Sequence, residues 1–119
     1  MTTTTRPLDL TPDELEARLL GQPSAEPLSG PITVRSRVDF TNEDRTVISG
    51  IWESEPGTSR WEFLTRGEII QVVSGAMTVQ RDGEEPVELT AGSVAYFPIG
   101  WCGVWTVTET LRKFYVVYK

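Results

Sequence analysis

Glu62 and Glu68 are the two residues of this chain best placed to do chemistry together. Strand alternation carried from 62 to 64, and from 68 through Ile70 and Val72, aims both carboxylates at one interior. Desolvation and like-charge repulsion in such a cavity raise carboxyl pKa values. The pair could then share a proton and act as acid and base. Their oxygens could also hold a hard cation such as Mg²⁺ or Mn²⁺. A structural arrangement competes with both, in which one glutamate pairs with Arg60 or Arg66 at a cavity rim. The chain has four tryptophans. Trp61 and Trp105 could wall a small planar or sugar-like ligand beside those arginines, or they could simply be core.

Other chemistry is closed off by what is missing. The sequence contains no histidine, so none of Ser54, Ser59, Ser74 and Ser93 can belong to a serine–histidine triad. Cys102 would need a lysine or arginine to become a thiolate nucleophile, and a buried, inert thiol is the simpler state. The glycines read as turn residues, with no phosphate-binding loop among them.

The elements that must position these residues come in two kinds. Thr11-Pro12-Asp13-Glu14 has the capping pattern of a helix start, with Leu15, Leu19 and Leu20 as its apolar stripe and Gly21 as its stop. Gln22 to Pro31, with three prolines and one glycine, reads as a linker. From Ile32 the period changes to two. Short β-branched and aromatic segments follow, punctuated by Pro-Gly, Ser-Gly, Asp-Gly, Ala-Gly and Ile-Gly. Asp82-Gly83 is the clearest hairpin turn. Evenly spaced short strands of this kind make a sandwich or barrel. The expected division is a disordered stretch over 1–10, a helix and linker arm over 11–31, and a barrel over 32–119.

Length and charge set the remaining bounds. The 119 residues form one domain that buries roughly two thirds of its unfolded surface. A net charge of −6 with scattered basic residues excludes nucleic acid and anionic membranes as partners. No apolar run approaches the roughly 20 residues of a membrane span. The start MTTTTRPLDL lacks a secretory apolar core, and a single cysteine suits a reducing compartment, so the expected location is cytoplasmic.

Residues Gly57 to Gly75 and Gly92 to Gly103 carry the punctuation of two cupin motifs. Gly57, Glu68 and Gly75 mark the first, while Gly92, Pro98 and Gly100 mark the second. With Gly50-Ile51-Trp52-Glu53, Trp61, Glu85-Pro86-Val87, Gly103-x-Trp105 and Arg112-Lys113, the block from Gly50 to Tyr118 resembles small single-domain cupins related to ureidoglycine aminohydrolase. The resemblance implies an all-β fold, a single jelly-roll cupin barrel forming a homodimer, to which the capping pattern at Thr11 to Glu14 adds a short N-terminal helix. In that branch it also implies a manganese held by Glu, two His and Gln. A gap of three back from Glu68 puts the first-motif slots at Glu62 and Leu64, and the second-motif slot at Gly103. Leu64 and Gly103 cannot coordinate a metal. The expectation is therefore a small-molecule-binding cupin with no metal and no other cofactor. The alternative is a metalloenzyme with a carboxylate-dominated Mn or Mg site at Glu62 and Glu68.

Overall fold

The computed structural model describes residues 2–119; Met1, part of the stretch expected to be disordered, lies outside the described residues. Two single turns of 3-10 helix, Pro7–Asp9 and Pro12–Glu14, precede nine strands. These are β1 Glu16–Leu19, β2 Ala25–Pro27, β3 Thr33–Thr41, β4 Val47–Ser54, β5 Gly57–Glu62, β6 Gly67–Arg81, β7 Val87–Thr90, β8 Val94–Phe97 and β9 Cys102–Tyr118. All pairings are antiparallel.

Two long strands organise everything else. β6 and β9 pair with each other along most of their length. The first half of β9 pairs with β5 and its second half with β4. The first half of β6 pairs with β8 and its second half with β7. One sheet thus runs β1-β3-β4-β9-β6-β8 and the other β2-β5-β9-β6-β7. The shared strands bend between them, and the rolled pair encloses the apolar core, in the manner of a jelly roll.

The bend explains one departure from expectation. Ser74-Gly75 reads as a turn in the sequence, yet β6 runs through it. Gly75 has φ +87°, and a Cβ there would collide with the Thr110 carbonyl of β9. The glycine is needed for a bulge where two strands change sheets together, not for a reversal of the chain.

The N-terminal helix is not formed. Glu14 accepts a hydrogen bond from the Thr11 amide at 3.1 Å, as the capping pattern foresees. Only one 3-10 turn follows, and residues 16–19 then pair with β3 as an edge strand. About ten residues make a marginal helix in water, whereas the free edge of β3 satisfies the same backbone groups with a ladder. Leu15 and Leu20 still bury, one on each side of that strand. The linker also departs from expectation, since Ala25–Pro27 adds a strand to the edge of β5.

The segment expected to be disordered is tied down within its described part. Thr5 donates to Asp39 at 2.8 Å. Arg112 donates to the carbonyls of Pro7 and Leu10 at 2.8 and 2.6 Å. The same guanidinium meets Glu53 at 3.0 Å, with Arg35 on the other carboxylate oxygen at 3.6 Å. The turn at Pro7–Asp9 packs against β6 and β9. Among the described residues no helix is long and apolar enough to cross a membrane.

Candidate functional site

Strand parity decides which side chains meet inside the barrel. On β5 and just beyond it, Ser59, Trp61 and Phe63 are buried, while Arg60 is part-exposed and Glu62 and Leu64 are exposed. This is the reverse of the alternation expected from the sequence. The count back from Glu68 assumed a gap of three residues, and one more residue in the 63–67 connection moves the inward set to Trp61 and Phe63. A single-residue slip exchanges every side chain between faces. On β6 the expected parity holds, with Glu68, Ile70 and Val72 all buried. Glu62 and Glu68 therefore point to opposite sides of the wall and do not form a pair, which removes both the shared-proton arrangement and the Glu62–Glu68 metal site.

Glu62 lies outside, its side chain 52% exposed and 3.3 Å from Arg60. Arg60 in turn grips Asp82 with two parallel hydrogen bonds of 2.6 and 2.7 Å. That fork holds the Asp82 carboxyl below the usual carboxylate range. The hairpin turn at Asp82-Gly83 is thus stapled to β5.

Inside, the slots face rings rather than ligands. Trp61 stacks on Trp105 with centroids 3.9 Å apart. Phe63 continues the stack at 5.8 Å, and Phe97 lies 5.5 Å beyond it. Trp52 meets Trp61 and Trp105 edge-on at 6.0 and 6.2 Å. Trp105 is fully buried, as parity from Gly103 foresees. Its indole Nε1 has no hydrogen-bond partner among the described residues, whereas that of Trp61 donates to Ser59 at 2.9 Å. Gly103 is itself filled by neighbouring backbone: a Cβ there would collide with the Gln80 carbonyl and lie 2.6 Å from the Trp101 ring. No histidine could be restored at that position without moving β6.

Glu68 has a different partner from those the sequence suggested. The Lys113 ammonium donates to its carboxylate at 2.6 Å, and the two residues are 1% and 5% exposed. The same nitrogen lies 4.4 Å from the ring centroids of Trp52 and Trp105 and 5.7 Å from that of Trp61. Burial pushes the Lys113 pKa down, with Glu68 pulling the other way. Lys113, Trp52 and Phe63 are the interior residues that sequence reasoning missed. The signal was present in β9, where Leu111 and Lys113 share the inward parity, so that a lysine occupies a core position.

The remaining candidates gather elsewhere. A cleft of about 780 Å³ opens between the arm over 22–28 and the end of β5. Arg60, Trp61, Glu62 and Arg66 line it, with Phe63 and Lys119. Four of the six residues singled out from the sequence therefore meet in the cleft, and the other two, Glu68 and Trp105, lie in the barrel. Cys102 is half-buried at the start of β9.

With this geometry in hand, comparison with known proteins is informative. Residues 41–115 match the EutQ-like cupin domain family. The EutQ protein of Clostridium difficile is 27% identical with a TM-score of 0.63, aligned over 73% of this chain and 63% of its own. The present chain thus spans less than two thirds of that protein's length. A protein of unknown function from Pseudomonas syringae pv. tomato is 21% identical with a TM-score of 0.72, over 87% of this chain and 43% of its own. Ectoine synthase from P. lautus is 15% identical with a TM-score of 0.63, over 71% and 63%. At those last two identities the likeness speaks to fold alone. No curated protein matches the chain.

Proposed function

This chain belongs to the EutQ-like cupin domain family, and from that premise we propose that it binds a small organic molecule in the cleft beside the barrel. The observation that carries this reading is the contrast between the two spaces. The barrel centre is packed with stacked rings and an ion pair. The cleft has the volume of an ordinary small-molecule site and gathers two arginines, two glutamates and an indole edge. Arg66 makes no salt bridge among the described residues, so its guanidinium is available to a ligand anion. Glu62, which lines the cleft together with Glu26, could exchange a proton with a bound molecule. In this reading the chain diverged from metal-dependent, aminohydrolase-like cupins and moved its ligand from the barrel axis to the rim.

Protein-observed NMR titration with a panel of small carboxylates tests the proposal. Binders should lose about tenfold or more in affinity in Arg66→Ala, with chemical-shift changes confined to residues 22–28 and 60–66. Shift changes centred on Trp52 and Trp105 instead would refute it.

A homodimer is part of the same proposal. Tyr96, Ile69, Val116, Ser49 and Phe40 form one register row on the outer face of five neighbouring strands. Tyr96 and Phe40 are 68% and 53% exposed, with Phe114 and Val94 in the adjacent row. A second copy presenting the same row would cover this apolar band. Light scattering that returned a monomer mass at high micromolar concentration would remove that part.

A further inference from the structure

The chain has eleven basic residues, nine arginines and two lysines, and one of the two lysines is sealed at the barrel centre. Lysine is strongly hydrated and seldom buried without a specific arrangement to hold it. Here the arrangement is complete. Trp52 and Trp105 present their rings to the ammonium at equal distances, Trp61 closes a third side, and Glu68 supplies the counter-charge. Three indole faces and one carboxylate around a cation are the recognition elements used for alkylammonium ligands. They come from four separate strands. Trp52 is on β4, Trp61 on β5, Glu68 on β6, and Trp105 shares β9 with Lys113 itself.

We infer that the barrel centre is an ammonium cage whose ligand is the chain's own Lys113. The cage does what a bound cation does at such a position: it neutralises the inward glutamate and ties β6 to β9. A divalent metal does not fit there. It would have to displace a tethered ammonium from Glu68 and find its other ligands among Trp61, Phe63 and Trp105, which offer ring faces. The inference does not depend on what the outer cleft binds.

Chemical rescue tests it. Lys113→Ala removes three methylenes and the ammonium, which n-propylammonium replaces atom for atom. At neutral pH, n-propylammonium should raise the melting temperature of the full-length variant saturably, by about 5 °C. It should leave wild type unchanged, and 1-propanol at the same concentration should do much less. Adding Glu68→Gln to Lys113→Ala should abolish the preference for the cation over the alcohol. Equal rescue by propanol and propylammonium would overturn the inference, because the space would then be an apolar cavity and not a cation site. If Lys113→Ala does not fold, wild type still decides the matter. Reductive methylation followed by peptide mass spectrometry should modify Lys119 at least tenfold faster than Lys113. Comparable rates at the two lysines, or a stoichiometric transition metal retained after dialysis, would overturn it.

Discussion

The buried ion pair makes a quantitative claim through Glu68→Gln. The substitution keeps the shape of the side chain and an oxygen that can accept from Lys113, now at 2.6 Å, but it removes the negative charge. Lys113 is 1% exposed, so its ammonium cannot recover hydration in place. Deleting one partner of a buried pair costs about 3–5 kcal/mol. The retained hydrogen bond and the ring contacts present in both proteins put the expectation at the lower end, about 3 kcal/mol. Urea denaturation followed by tryptophan fluorescence measures this directly. Lys113→Met with Glu68→Gln completes a cycle, and the pair should couple by about 2 kcal/mol or more.

The pH dependence of that pair has a definite sign. The folded Lys113 pKa lies below its ordinary 10.5 because burial disfavours the charged amine. Between the folded value and 10.5 the unfolded chain binds more protons, so the Lys113 contribution to stability rises with pH across that window and is lost as pH falls through the folded pKa. Without the Glu68 charge the folded value drops further, and Glu68→Gln should extend the rising limb to lower pH. Tyr115, raised by burial and by Glu68, acts oppositely above its ordinary 10.0, so the comparison belongs below about pH 9.5. A Glu68→Gln stability within about 0.5 kcal/mol of wild type, with an unchanged pH profile, would refute the account of the barrel centre.

Trp105→Ala should cost about 3–5 kcal/mol in the same denaturation assay, since the indole is fully buried and stacked 3.9 Å from Trp61. Gly103→His should lose at least about 3 kcal/mol and gain no metal affinity by titration calorimetry, because the new Cβ meets the Gln80 carbonyl. Arg112→Ala leaves Glu53 with Arg35 alone and strands two arm carbonyls, so it should destabilise by about 3 kcal/mol. Amide hydrogen exchange over residues 5–10 should become fast in that variant; continued protection would mean that the arm is held by other contacts.

How much of this was legible in the sequence follows from the range of each interaction. Period-two alternation, the turn at Asp82-Gly83 and the glycine and proline punctuation are local, and they specify an all-β sandwich or barrel without reference to anything distant; the cupin reading came from the resemblance. The absence of histidine is equally local and excludes its chemistry outright. The helix failed because ten residues of propensity are weak beside a free strand edge elsewhere in the chain. Ser74-Gly75 was misread because a positive φ serves a bulge as well as a turn, and the difference lies in whether Thr110 is packed against it.

The interior depended on two things that only the folded chain contains. One is the length of the connection from Phe63 to Gly67, which sets the face of β5 and so exchanged Glu62 for Trp61 and Phe63. The other is the register of β9 against β4 and β6, which brings Lys113 beside Trp52 and within reach of Glu68, 45 residues away in sequence. Alternation says that side chains differ in face but not which face is inside. Charge in a sequence does not name its partner until strands are laid side by side.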